Sequence, residues 1–523
     1  MKNKFIFVFI ILLLILVSIN VHADTIKKGD VNMDGKVSST DYIMVRKYIL
    51  KTGKLTNAQI KIADMNKDNK ISAADYILIK KEIINGNNKK EDKKEESKTT
   101  PTPTPTPSKE VVVMPTGFEI TGWIFPTAEQ MTKENAKTIK EAGFTLVQLR
   151  SSSSDITEYK NKMIAAINTL NEYGIKVVVS IKGERGRKIL DIKNENELTD
   201  EVNRMIDFFS PYSNVVGYYV ADEPNVKDFT RIKNVFDMIS KKDSKRFKYV
   251  NLFPNYASVE QLGASYDDYI RRFSELKPGV LAVDHYSQAY VFPDVVKTYE
   301  AFYDNLRATY KYSRSSNSLP VMTILDAKSP VSSRDITIND IAAQVNLCLA
   351  FGMKRVGYWS YLSNGVSPDG IGLITIDKNG VFNKNKYYAY AKEVNDWLLK
   401  IGKELYNTEI SEVNGVLEIY GVNEMPNLTP YNNKIGRISS DAGGILTFYK
   451  NNSFLLVNTD VHLGKTSGTY TIENNLMNYQ FFNPQTNVWQ NIGGDFDFFA
   501  GKMLATQGKI ILNPGYSILL RSK

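Results

Sequence analysis

The 523-residue chain is poor in the residues that build covalent and metal scaffolds. One cysteine, Cys348, excludes an intrachain disulfide framework and a thiolate metal cluster. Three histidines, His22, His285 and His462, lie far apart in sequence and leave little material for a zinc site. Beyond Val17 there is no second long apolar run, which excludes a polytopic membrane protein. Charge of one sign is also scarce. Lys+Arg number 66 against 57 Asp+Glu, a balance of +9, and the basic residues are scattered rather than striped, so nucleic acid is not an expected partner. What is present is ordinary globular composition, 42% hydrophobic and 24% charged. The length suggests roughly three to four domains at about 150 residues each.

Residues 1–23 read as a secretory signal peptide. Lys2 and Lys4 form a basic start, Phe5 to Val17 is unbroken apolar sequence, and Val21-His22-Ala23 fits a small-residue cleavage site before Asp24. The apolar run is shorter than the ~20 residues of a comfortable span. The expectation is a secreted, extracellular protein with no membrane contact after cleavage.

An internal repeat comes next. Asp30-Val-Asn-Met-Asp-Gly-Lys-Val-Ser-Ser-Thr-Asp41 returns 34 residues later as Asp64-Met-Asn-Lys-Asp-Asn-Lys-Ile-Ser-Ala-Ala-Asp75. Each copy has oxygen side chains at positions one, three, five and twelve, the spacing that wraps hard ligands round calcium with a backbone carbonyl at position seven. The ligands of one ion are Asp30, Asn32, Asp34, the Lys36 carbonyl and Asp41. Those of the second are Asp64, Asn66, Asp68, the Lys70 carbonyl and Asp75. Gly35 suits the sharp turn at position six, and Asn69 tolerates the same left-handed backbone.

Residues 26–86 resemble a type I dockerin, on Asp at position twelve and one helix after each loop. The resemblance implies two Ca2+ ions and a cohesin domain of a scaffolding protein as partner, with the cell-surface cellulosome as its place. It also implies that loop positions ten and eleven, Ser39-Thr40 and Ala73-Ala74, face the cohesin. Residues 87–109 read as a linker, rich in Lys and Asn and then in alternating Thr and Pro, which favours an extended spacer. The cargo of the dockerin begins beyond this spacer.

From Phe118 to about Leu405 strand-like and helix-like segments alternate. The strand candidates are Phe118–Phe125, Phe144–Arg150, Ile175–Ile181, Val215–Ala221, Phe247–Phe253, Val280–Tyr286, Val321–Leu325 and Arg355–Tyr361. Eight such units over residues 110–405 predict a (β/α)8 TIM barrel, with chemistry at the carboxyl ends of the strands. An open doubly wound sheet is the other reading, but no glycine-rich phosphate loop comes after the first strand. The strand ends carry Trp123, Arg150, Asp222-Glu223-Pro224, Asn251, Asp284-His285-Tyr286, Asp326, Trp359 and Tyr361. Carboxylates, amides and flat rings round one mouth are what glycoside hydrolysis needs.

Gly217-Tyr-Tyr-Val-Ala-Asp-Glu-Pro224 resembles the fourth-strand motif of clan A glycoside hydrolases. The resemblance implies that Glu223 is the general acid/base and Trp359 a sugar platform. It also implies a seventh-strand Glu as nucleophile, and here only Asp326 stands there. Asp284 on the sixth strand is the rival for the second carboxylate, and the expectation leans to it. Trp123, Arg150, Asp222, Asn251, His285, Tyr286, Trp359 and Tyr361 are the expected substrate contacts. Burial and the Asp222 charge are expected to raise the Glu223 pKa above ~4.3. No cofactor is expected for catalysis.

Residues 406–523 turn to short alternating runs with Gly and Asn turns and no helical period, which predicts a C-terminal β-sandwich. Trp489 or Phe498 would carry any carbohydrate binding there, and a purely structural appendage is the preferred reading. The whole reads as a secreted glycoside hydrolase that cleaves O-glycosidic bonds in plant cell-wall polysaccharide through two carboxylates. The alternative is a non-catalytic polysaccharide-binding dockerin protein with a degenerate barrel.

Overall fold

A computed structural model describes residues 27–37, 54–71, 117–180, 188–287, 295–326, 336–363, 372–377, 380–414, 438–460, 467–472, 478–492, 495–498, 501–506 and 509–523, with helical positions 41, 44, 45, 48, 75, 78 and 79 besides. The expected signal peptide and the expected linker lie outside these residues. The chain divides into two compact units, residues 1–107 and 108–523.

In the first unit the helix Asn57–Ala63 starts at a capping box, in which the Thr56 hydroxyl accepts from the Gln59 N–H and the Gln59 side chain accepts from the Thr56 N–H. Ile62 and Ala63 on that helix close a small core with Val31, Val45 and Ile79. The core is small enough that the two loops beside it must contribute to stability.

The second unit begins with eight parallel strands: β1 (Glu119–Gly122), β2 (Leu146–Leu149), β3 (Lys176–Ser180), β4 (Val215–Asp222), β5 (Phe247–Leu252), β6 (Val280–Asp284), β7 (Leu319–Asp326) and β8 (Arg355–Trp359). After them in turn come α1 (Lys133–Glu141), α2 (Ile156–Glu172), α3 (Glu195–Phe209), α4 (Phe229–Lys242), α5 (Tyr266–Ser274), α6 (Val295–Ser316), α7 (Ile338–Ala350) and α8 (Lys386–Tyr406). Each strand pairs with the next in parallel from β2 to β8, and β8 pairs with β1. The ring is completed where the Thr145 N–H donates to the Ile120 carbonyl at 2.9 Å. All eight expected strands are present, each within a few residues of its expected ends.

The strands bury both faces, as parallel strands under helices must. In β5 and β6, Phe247, Tyr249, Val280 and Ala282 join Leu146, Val178, Leu319 and Val321 in one cluster. The intervening Val250, Leu252, Leu281 and Val283 belong to the larger cluster beneath the helices. This two-residue alternation separates the barrel interior from the strand–helix layer. At the amino ends of the strands Arg355 Nε donates to Glu119 at 2.8 Å, Lys176 Nζ reaches Glu119 at 3.0 Å, and the guanidinium lies 4.6 Å over the Phe247 ring. This buried pair plugs the end of the barrel opposite the mouth.

After α8 the chain forms two antiparallel sheets. One runs Ile410–Asn414, Gly444–Tyr449, Ser453–Asn458, Ser517–Ser522, Tyr479–Asn483, Val488–Asn491; the other runs Ile438–Ser440, Gly468–Ile472, Lys509–Leu512, Gly501–Thr506, Asp495–Phe498. The expected strand at 415–420 lies outside the described residues. The first sheet docks on α7. Asn346 Nδ2 donates to the Gly515 carbonyl at 2.7 Å, Ser517 Oγ donates to Asn346 Oδ1 at 2.8 Å, and the Tyr449 hydroxyl donates to the Leu349 carbonyl at 2.9 Å. Every α7 residue from Asp340 to Ala350 is therefore buried, between barrel and sheet.

Candidate functional site

The barrel mouth is organised by three neighbouring strands. β4 carries a register shift against β5 between Tyr219 and Ala221, so its last residues are displaced relative to a regular strand. Glu223 comes next in a left-handed conformation, φ 43°, unfavourable for a residue with a Cβ by about 1–2 kcal/mol. Its N–H donates to the Asn251 carbonyl at 2.8 Å, which fixes the turn on β5. Asn251, only 1% exposed at the end of β5, donates its amide to Asp222 at 3.2 Å on one side and to Asp284 at 3.1 Å on the other. Asp284 ends β6, and its carboxyl lies near enough to that of Glu223 for the two to be electrostatically coupled.

Two interacting carboxyls titrate as a pair. Burial holds Asp284 well above the usual carboxylate range, and the Glu223 charge adds to the rise. Glu223 is raised as well, by desolvation first and by Asp222 besides, although its interaction with Asp284 pulls the other way. Desolvation also raises Asp222, against the Asn251 amide and the Lys188 charge. The two groups therefore titrate as one coupled pair, both above the usual carboxylate range. The causes expected for Glu223, burial and Asp222, are both present.

A cleft of about 500 Å³ opens beside this pair, lined by Trp123, Arg150, Asp222 and Glu223 among others. The Trp123 ring lies 6.2 Å from Trp359 and 5.7 Å, edge-on, from Tyr219, and Tyr286 meets Trp359 edge-on at 6.3 Å. The Trp359–Ser360 peptide bond is cis. Asp284 itself is 1% exposed and does not line the cleft; the carboxyls that do are Asp191, Asp222, Glu223 and Asp228. Asp326 ends β7 in register with Trp359, and its side chain lies outside the described residues.

Two expected substrate contacts are not at the mouth. His285 is fully buried, 5.1 Å from both Tyr256 and Phe302, because it comes one residue after the inward Asp284 and so points to the helix layer. Burial lowers its pKa to about 3, so it is neutral. Tyr361, beyond the end of β8, packs on Phe125 at 4.9 Å and Phe144 at 5.4 Å in the core. Tyr219 is a mouth residue absent from the sequence expectation. It meets Trp123 edge-on and lies tilted against Tyr249 at 5.3 Å, and the alternation Gly217, Tyr219 along β4 was the available signal. Trp489 is held at the junction with the barrel: its Nε1 donates to Glu404 at 3.1 Å and Arg521 lies 4.2 Å over the ring.

The repeat loops form a second site. In the first, Asp30 accepts from the Asp34 N–H at 3.1 Å and the Gly35 N–H at 2.8 Å, and Asp41 accepts from the Asn32 N–H at 2.8 Å. In the second, Asp64 accepts from Asp68 at 3.2 Å and Asn69 at 3.0 Å, and Asp75 from Asn66 at 3.2 Å. Position six is left-handed in both, φ 85° at Gly35 and 62° at Asn69. Carboxylate oxygens of Asp64, Asp68 and Asp75 converge within 4.8 Å of one another. That spacing and an all-oxygen donor set fit a calcium ion, with Asp30, Asn32, Asp34, Asp41 and the Lys36 carbonyl as the equivalent set, and Asn66 and the Lys70 carbonyl completing the second.

Residues 28–84 match the dockerin type I domain. Ser39, Thr40, Ala73 and Ala74, the expected cohesin-facing positions of this dockerin, lie outside the described residues. No curated protein sequence matches the chain. Among solved structures it is similar to an endo-β-1,4-mannanase from Thermotoga petrophila, at 10% identity over 68% of this chain and 95% of that one, TM-score 0.42. It is also similar to Saccharomyces cerevisiae Gas2p in complex with laminaritetraose and laminaripentaose, at 11% identity over 54% and 62%, TM-score 0.37. A third is a GH5_18 protein from Bifidobacterium longum in complex with Manβ1-4GlcNAc, at 10% identity over 53% and 78%, TM-score 0.42. Among the described residues no helix is long and apolar enough to cross a membrane.

Proposed function

We propose that the chain is a secreted glycoside hydrolase of plant cell-wall polysaccharide that its dockerin anchors to a cohesin, with calcium in both dockerin loops and the two C-terminal sheets packed as a sandwich. The observation that carries the enzymatic reading is the Glu223–Asp284 carboxyl pair at the barrel mouth. In this reading the chain follows a retaining course, with Asp284 as the nucleophile.

One proton serves both groups. When a sugar displaces the remaining water, the shared proton moves to Glu223, which delivers it to the glycosidic oxygen as that bond breaks. Asp284, 1% exposed in the free protein, must then ionise and open toward the cleft to attack the anomeric carbon. Glu223, now a base, takes a proton from the water that releases the sugar. Asn251 keeps both aspartates oriented throughout, and Trp123, Tyr286 and Trp359 stack on sugar faces. The test is a panel of cell-wall polysaccharides incubated with the intact protein and read by product analysis. Release of oligosaccharides is expected from at least one; binding without any bond cleavage across the panel contradicts the reading.

A further inference from the structure

The cleft beside Glu223 has a cationic wall. Arg150 lies just past β2, and Lys188 and Lys193 lie on the connection from β3 to α3. All three line the same cleft as Trp123, Asp222 and Glu223, and all three are exposed. Among the described residues none of them forms an ion pair. Other cations nearby are paired, among them Arg204 with Glu201, Arg231 with Glu195, Lys242 with Asp207 and Arg246 with Asp243. Four acids line the same cleft, but Asp222, which feels the Lys188 charge, and Glu223 belong to the reacting group, and Asp228 caps the Asn225 N–H at 3.1 Å.

A neutral sugar needs rings and uncharged hydrogen-bonding groups. It gains little from three exposed cations, which a bound anion would engage. The guanidinium fork of Arg150 matches a carboxylate with two parallel hydrogen bonds, and the lysines add point charge. We propose that the substrate is an acidic polysaccharide, with a uronate carboxylate seated against Arg150, Lys188 and Lys193 next to the sugar whose bond is cleaved. This rests on the glycoside hydrolase reading above. It adds what that reading leaves open, the chemical class of the sugar.

The test compares polygalacturonate and glucuronoxylan with their carboxyl-reduced counterparts. Turnover is measured with the intact protein, and binding with its Glu223→Gln variant by affinity electrophoresis. At least one uronate polymer is expected to exceed its reduced counterpart about tenfold in kcat/KM, and 1 M salt should narrow the ratio. The variant with Arg150→Gln, Lys188→Gln and Lys193→Gln together should lose that preference, and Lys188→Arg should keep it. Thermal melting establishes that the triple variant is folded. Turnover of neutral polymers with no preference for carboxylates, or a triple variant with the preference intact, overturns the inference and leaves the hydrolase reading standing. Absence of both binding and cleavage on every polymer overturns the two together.

Discussion

Replacing Asp284 with Asn should make the barrel more stable and the site inactive. Asp284 is 1% exposed, and its carboxyl is held above the usual range by burial first and by Glu223 second. A group whose native pKa is raised binds its proton more tightly folded than unfolded. Its contribution is therefore fully present below the unfolded value of ~3.9 and is lost as pH rises through the native pKa. Above that point the native state must hold two neighbouring carboxylates with little water. Asparagine keeps an oxygen for the Asn251 amide and offers Glu223 an N–H, so the hydrogen bonds survive and the charge does not. Relief of a buried charge acts on the scale of about 1–4 kcal/mol. At about 2–4 °C per kcal/mol for a 150–250-residue domain, a rise of several degrees in Tm is expected at pH 8. The gain should shrink toward zero near pH 4, where the native Asp284 carboxyl keeps its proton and carries no charge to relieve. Scanning calorimetry of the full chain at several pH values reads this directly. A Tm for Asp284→Asn that is lower at pH 8, or a difference that does not change with pH, refutes the shared proton.

Other consequences are independent of the chemistry. Arg355→Met leaves Glu119 buried beside one lysine, and breaking a buried pair in this way should cost about 3–5 kcal/mol, seen as a lower denaturant midpoint. Gly515→Ala would place a Cβ 2.2 Å from the Asn339 carbonyl at a φ of +82°, so the sheet should lift from α7 with a loss of about 1–3 kcal/mol and greater protease sensitivity. Chelation of calcium should abolish cohesin binding and leave hydrolysis unchanged, and equal cohesin affinity with and without chelator contradicts the assignment of the loops.

The barrel strands were legible because each is a short buried run between capped helices. The Thr132, Asp155, Asn194 and Thr337 caps all mark helix starts that the strand–helix rhythm implies. The dockerin loops were legible because their donors are local in sequence. The meeting of Glu223 with Asp284 was open, since it depends on the register of β4, β5 and β6 and on a bulge that no residue announces. His285 was misplaced by reading a strand end as a cluster, when the two-residue alternation continues past Asp284 and sends the ring outward. Asn346 reads as an ordinary polar helix residue, and its burial becomes evident only once the sheet lies on α7. Strands such as Ile438–Ser440 and Gly468–Ile472 are short and partly polar, with too little period to be read without their neighbours.

The catalytic role of Glu223 is tested most directly by the rate of Glu223→Gln on polysaccharide and on aryl glycosides with activated leaving groups. Glutamine keeps the size and removes the proton transfer. Polysaccharide turnover should fall by about 10²–10⁴-fold. The first step on an activated aryl glycoside, whose leaving group needs little protonation, should be much less affected. Native-like turnover of polysaccharide by Glu223→Gln would contradict the central claim.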